Sequence, residues 1–269
     1  KVQAHNTFAT PLLLPTFGIL NWTKEEVEFI DKSTRKHLTM NGSFHRNSDI
    51  DRLYAPRNEA GRGLNSILDL YYQRLITLAH HVRAQAAVNR LFVKVCEHEA
   101  HSLLRYADEL IAGIGVALLS PDCKTDQLSA AIKAKLQEGH IRAWKDKPMH
   151  GYNKRQADVT PTRDISASNG WTRSLNLTSH LEGYLCAIQE QEIHTRYLQK
   201  MRSSSPSDVN CQCRHCGEHP ETITHIVGSC SALSSNLYLP IRHNAVAKTL
   251  FSEIIRLEEP EHSFVNPPP

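Results

Sequence analysis

The sequence predicts a mainly α protein in two parts: a helical bundle, followed by a connector and a small metal-binding module. Three observations predict this. Apolar residues recur at i, i+3 and i+4 over several long segments, the period of a helix with one buried face. Strand-like alternation of apolar and polar residues is scarce. Four of the seven cysteines lie between 211 and 230, at metal-ligand spacing. The expected boundaries are a bundle over 1–120, a connector over 121–202, a metal module with a closing helix over 203–258, and a disordered tail over 259–269.

With 269 residues and 40% hydrophobic content, the chain is long enough for one large or two small domains. A mean hydropathy of −0.42 fits a soluble globular protein. No apolar run reaches 18 residues, so no membrane span is expected. The chain opens Lys1-Val2-Gln3 with neither Met nor signal peptide, which reads as part of a longer frame. Clustered cysteines with metal spacing suit a reducing compartment, so an intracellular location, nuclear or cytoplasmic, is expected. The net charge of +3 is unevenly spread. Residues 124–216 carry 14 Lys and Arg against 9 Asp and Glu, whereas 217–269 carry 3 against 6. A basic middle beside a metal module is compatible with nucleic-acid contact, and equally with an ordinary solvated surface.

The elements follow in order. Residues 8–20 are apolar, but Pro11 and Pro15 break any long helix. Thr23 followed three residues later by Glu26 is a capping box that starts a helix through Val27, Ile30 and Leu38, and Asn41-Gly42 stops it. The glycines of Ala60-Gly61-Arg62-Gly63 allow a tight turn. Residues 64–89 carry the stripe Leu64, Ile67, Leu68, Tyr71, Leu75 and Leu78. Residues 91–119 repeat it up to Pro121, and 124–143 form one amphipathic helix through Leu128, Ile132 and Leu136. Residues 144–176 lack periodicity and read as a loop or linker. There Trp144, Tyr152 and Trp171 lie among Lys145, Lys147, Lys154, Arg155 and Arg173. Aromatics among cations can stack on bases and bind phosphates. They can equally pin a long loop to the core, the reading preferred here. A helix pattern covers 177–202, Ser203-Ser204-Ser205-Pro206 is a break, and Pro240 suits the first turn of a last helix whose apolar face is Ala245, Val246, Leu250, Phe251 and Ile254.

The metal module reads C-x2-C-x8-H-x4-C: Cys213, Cys216, His225 and Cys230. Two cysteines two residues apart place both sulfurs on one ion from a tight turn, and Gly217 helps that turn close. Zn²⁺ takes four such ligands as a closed tetrahedron, so the site is expected to be structural and to have no open catalytic position. A short helix from Thr222 would carry His225 and Cys230 inward. Cys211 with Cys216 is a second conceivable pair, and His215 and His219 lie close; the two-residue gap favours Cys213. Elsewhere the sequence shows no P-loop, no Rossmann glycine loop and no G-x-S-x-G. His98-Glu99-Ala100-His101 has i, i+3 metal spacing but reads better as a solvated helix face.

Several stretches resemble one family. Phe17-Gly18-Ile19 with Trp22-Thr23, Thr34-Arg35-Lys36-His37-Leu38-Thr39, Asp51-Arg52-Leu53-Tyr54 and the box Pro56-Arg57-x-x-Ala60-Gly61-Arg62-Gly63-Leu64 look like the thumb of non-LTR (LINE-like) retrotransposon polyproteins, just after the reverse-transcriptase palm. Trp144-Lys145-Asp146-Lys147-Pro148-Met149-His150-Gly151 and Ala187-Ile188-Gln189-Glu190-Gln191-Glu192-Ile193 are similar to their connector, and the cysteine stretch to their zinc knuckle. Arg242-His243-Asn244-x-Val246-Ala247 resembles the segment after that knuckle in copies that carry an endonuclease. Ala60 departs from the box, which usually has glycine there. The resemblance implies a helical thumb-like bundle, structural Zn²⁺, and RNA template and target DNA as partners, with Arg35, Lys36, Arg57 and Arg62 on phosphates and Lys145, Lys147, Lys154 and Arg155 in a basic connector. It also implies a parent RNA-directed DNA polymerase whose paired aspartates and Mg²⁺ lie in the palm, upstream of Lys1, so that this chain alone does not polymerise. The alternative is a stand-alone zinc-stabilised module that binds nucleic acid or protein.

Overall fold

A computed structural model of the chain describes residues 1–85, 88–98, 102–115, 123–159, 164–174 and 177–258. The candidate cluster at Glu99–His101, Pro121 and the tail over 259–269 lie outside the described residues. The protein is mainly helical, and among the described residues only two isolated bridges replace strands. Two compact units divide the chain, Lys1–Glu190 and Gln191–Pro269.

The first unit opens with short helical turns over 2–16, in which Pro11 and Pro15 each stand at the start of a turn. Helix α1, Lys24–Met40, starts at the capping box: the Glu26 amide donates to Thr23 Oγ1 at 3.3 Å, and the Thr23 amide donates back to Glu26 at 2.9 Å. It ends at Asn41, with Gly42 at φ +67°. A single turn, α2 (Ile50–Tyr54), follows its Asp49 cap, and α3 (Ile67–Ala84) follows its Ser66 cap. Between them Ala60 takes φ +65°, a left-handed conformation that costs an alanine roughly 1–2 kcal/mol and a glycine almost nothing. Gly61 meets the backbone so closely that an added Cβ would lie 2.0 Å from the Ala55 carbonyl oxygen.

Two expected helices are interrupted, one runs longer than expected, and an expected linker is helical. The stripe over 91–119 is two helices, α4 (Arg90–His98) and α5 (Leu103–Ile114). Ser102 caps α5 and also donates to the Cys96 carbonyl at 2.7 Å, and Gly115 at φ +70° ends it before Pro121 is reached. Helix α6 runs Thr125–Asp146, past the expected end at 143. It continues because Trp144 has a place in the core, 1% exposed against Ala55 and Ala60. The expected linker over 144–176 is corrected to short helices, α7 (Tyr152–Val159), a turn at Ile165–Ser168, and α8 (Gly170–Ser174). Trp144 pins this stretch to the core: its Nε1 donates to the His150 carbonyl at 3.0 Å, and the Arg52 guanidinium lies 5.0 Å over its ring. The pattern over 177–202 breaks into α9 (Ser179–Gln189) and α10 (Arg196–Arg202), because Gln191 takes φ +62° and Thr195 caps a new helix.

The buried apolar residues of the first unit form four clusters among the described residues, two of them sharing the partly buried Leu103 and Leu110. Phe17, Val27, Ile67, Tyr71 and Leu75 join α1 to α3. Ile76, Ala79 and Val82 of α3 pack with Val93, Leu104, Ala107, Ile111, Leu128 and Ile132, so α6 shares one core with α3–α5. Fully burying a Leu or Ile is worth about 1.5–3 kcal/mol, which makes this α3–α6 face the main source of the unit's stability. In the second unit, α11 (Ile223–Gly228) belongs to the cysteine module. Pro240 lies inside a wide-turn helical segment, Ser234–His243, instead of opening the last helix, which is α12 (Asn244–Glu258).

Candidate metal centre

The cysteine stretch folds into a turn and a helix that point four side chains at one spot. The turn is closed by the Cys213 amide donating to the His219 carbonyl (2.7 Å) and the Gly217 amide donating to the Cys213 carbonyl (2.8 Å). Gly217 sits at φ +72°, which glycine adopts without strain. Thr222 caps α11 by accepting from the His225 amide at 3.0 Å, which fixes the helix that carries His225. Cys230 follows the helix directly; the Tyr238 hydroxyl accepts from its amide at 3.3 Å and donates to the Ile226 carbonyl at 2.5 Å.

The ligand atoms of Cys213, Cys216, His225 and Cys230 all lie within 4.8 Å of one another. Cys213 and Cys230 sulfurs are 3.9 Å apart, and Cys216 Sγ is 3.4 Å from His225 Nε2. Tetrahedral bonds of about 2.3 Å to sulfur and about 2.0–2.1 Å to nitrogen give edges of about 3.8 Å (S to S) and about 3.5 Å (S to N). The four residues therefore could hold a metal ion. Cys211 is not among them; its carbonyl instead accepts from the Glu221 amide at 2.7 Å. His215 and His219 are exposed, with the His219 ring 5.6 Å from that of His225. Backbone amides at Glu218, and behind it His219, face the Cys216 thiol and hold it down to about 6, whereas burial pushes Cys230 up. A thiol held low is ready to ligate as thiolate.

One residue that the sequence did not single out organises this module. Glu221 is buried and accepts from the Arg214 amide (3.0 Å), the Arg214 guanidinium (2.6 and 2.8 Å) and the Arg196 amide (3.0 Å). Arg214 is the main cause that holds the Glu221 carboxyl down to about 2. It thereby ties the turn between the two cysteines to the first turn of α10. Its only sequence signal is an acid beside a basic cysteine clip.

The eight cations expected to contact nucleic acid are placed unequally. Arg35 donates to Asp31 and to the Tyr54 hydroxyl. Arg57 donates to Glu182, to the Thr172 carbonyl at 2.5 Å and to the Arg62 carbonyl at 3.0 Å. Arg62 is 1% exposed and reaches Glu182 at 3.1 Å. Lys147 bridges Asp49 (2.5 Å) and Asp51 (2.7 Å), Lys154 pairs with Glu59 at 2.7 Å, and Arg155 donates to the carbonyls of Lys145, Lys147 and Pro148. Lys145 is half-buried and also engaged. Lys36 is exposed on α1 with no partner among the described residues. A buried guanidinium already paired with a carboxylate does not present itself to a phosphate, so Arg62 works inside the fold.

These pairs join segments far apart in sequence. Arg52, 1% exposed, donates to the Cys186 carbonyl (3.1 Å), to Gln189 and to Glu190 (3.3 Å), and Glu190 accepts from the Asp49 amide at 3.0 Å. Compared with known proteins, the chain matches no family model, no curated protein and no solved structure.

Proposed function

We propose that the chain is the part of a non-LTR retrotransposon reverse transcriptase that follows the palm, a thumb, connector and zinc knuckle that grip nucleic acid and carry no polymerase active site. The observation that carries this is the convergence of Cys213, Cys216, His225 and Cys230 in a tetrahedral set. Zinc is the metal this donor set suits, because three thiolates and an imidazole are one of its closed tetrahedral shells. A second observation supports the reading. The stretches that resemble that family lie far apart in sequence yet meet in the first unit: Arg52 reaches Gln189 and Glu190, and Lys147 reaches Asp49 and Asp51. RNA template and target DNA are the partners in this reading, and Mg²⁺ belongs to the palm.

Metal analysis of the purified chain tests the centre. One zinc per chain is expected, lost in Cys213→Ser and retained in Cys211→Ser. Retention in the first and loss in the second would move the clip to Cys211. Anisotropy titration with single-stranded RNA and duplex DNA tests the grip: affinity should fall steeply with salt as counterions are displaced. Incorporation of nucleotides by this chain alone would overturn the absence of an active site. One observation favours a second reading, a zinc-stabilised module that contacts protein: α12 leaves Val246, Leu250, Phe251 and Ile254 about half exposed. That reading expects no binding to either nucleic acid even at low salt.

A further inference from the structure

Between the end of α1 and the start of α9 the first unit has a recess of about 250 Å³ that no sequence motif indicated. Its floor is Phe44, 7% exposed, and on one wall stands Tyr184, 46% exposed. Arg46 and His180 complete the rim, and neither has a partner among the described residues. None of the eight lining residues is acidic. The walls come close because two residues lack side chains. A Cβ on Gly42 would lie 2.7 Å from His180 Nδ1, and one on Gly183 would lie 3.0 Å from the Ser43 carbonyl oxygen. Lys36 stands one turn before Thr39, which lines the recess, and so shares its helix face.

An exposed aromatic wall over an apolar floor suits a flat ring, and a free guanidinium with an imidazole on the rim suits an anion attached to that ring. The volume sits near the lower end of ligand pockets, about 300 Å³, so it takes one base and excludes a duplex. We propose that this recess seats one unstacked nucleotide of a single-stranded nucleic acid, with its base stacked on Tyr184 and its phosphate at Arg46 and His180, and that Lys36 meets the neighbouring phosphate. The proposal rests on the nucleic-acid reading above and gives it a place in the first unit, where most of the other expected cations are bound internally.

The test is an anisotropy titration of the zinc-loaded chain with a labelled single-stranded RNA of roughly 12 nucleotides, within the usual site size of such proteins. Tyr184→Ala should weaken binding about tenfold, since a stacked base contributes on that scale, and Tyr184→Phe should bind as the unchanged chain does. Arg46→Ala should weaken binding and reduce the salt slope by about 1. Circular dichroism and zinc content check that each variant is folded. RNA that carries 5-iodouridine should crosslink to Tyr184. If Tyr184→Ala and Arg46→Ala bind as tightly as the unchanged chain, the recess is not the site, although the nucleic-acid reading stands. If the unchanged chain binds no RNA at about 50 mM salt, where phosphate contacts are strong, both are overturned.

Discussion

Glu182 holds two guanidinium groups at once, from Arg57 and Arg62, inside the first unit. Arg62 has no partner for Nε and Nη1 among the described residues, so its link to Glu182 carries most of the compensation for its burial. Removing one partner of a buried pair typically costs about 3–5 kcal/mol, because the other charge stays buried. Glu182→Ala should therefore lower stability by about 3 kcal/mol in urea titration, whereas Lys36→Ala, exposed and unpaired, should stay within about 0.5 kcal/mol. A loss below about 1 kcal/mol in Glu182→Ala would mean that the arginines are loosely held and available to phosphate. The contrast with the metal ligands shows what a sequence reveals at this scale. Cys213, Cys216, His225 and Cys230 were legible because their spacing is itself the geometry of the site. Glu182 was not, because its partners lie 120 and 125 residues away and no local pattern encodes that distance.

At the scale of elements, the helical periods gave the existence and faces of α1, α3, α5 and α6, because apolar burial sets them. Their ends were less legible, since single side chains decided them: Ser102 and Thr195 start new helices inside stripes that look unbroken, and Trp144 extends α6 by finding a core site. Helix α6 is also tied by charge. His140 lies between Asp51 (2.8 Å) and Asp69 (2.9 Å). Burial alone would lower its imidazolium, but the two carboxylates outweigh burial and lift it to about 9. Because the folded value lies above the ordinary 6.5, the stabilisation is fully present below pH 6.5 and is lost as pH rises through about 9. Asp51 moves the other way. Burial raises it, yet the His140 and Lys147 contacts hold it below 3.8, so its contribution is present above that value and is lost on acidification. Unfolding followed by tryptophan fluorescence should show a plateau between about pH 4 and 6.5, then a decline of at most about 3 kcal/mol toward pH 9. His140→Gln should flatten that decline. An unchanged decline in the variant would assign it to another group.

The whole molecule has two compact units with different sources of stability. The first unit rests on an apolar core of α1 and α3–α6 and on buried ion pairs. Among its described residues the second has few buried apolar side chains: Leu198 and Ile223, beside the ligands themselves, with α12 exposed along its length. Fewer than about 80 residues with so little buried apolar surface rarely fold without a metal or disulfide, and the seven cysteines are all free. Metal binding to such a module is folding free energy. The three tryptophans, Trp22, Trp144 and Trp171, all lie in the first unit, so fluorescence reports that unit alone while circular dichroism reports both. A strong zinc chelator should thus remove part of the helical circular dichroism and leave the tryptophan-detected urea midpoint unchanged. Cys230→Ser should reproduce the effect without chelator, and added zinc should restore the signal only in the unchanged chain. A tryptophan midpoint that falls together with the helical signal would mean that the metal stabilises both units as one cooperative body. The Arg52, Arg57 and Arg62 pairs would then not suffice to hold the first unit on their own.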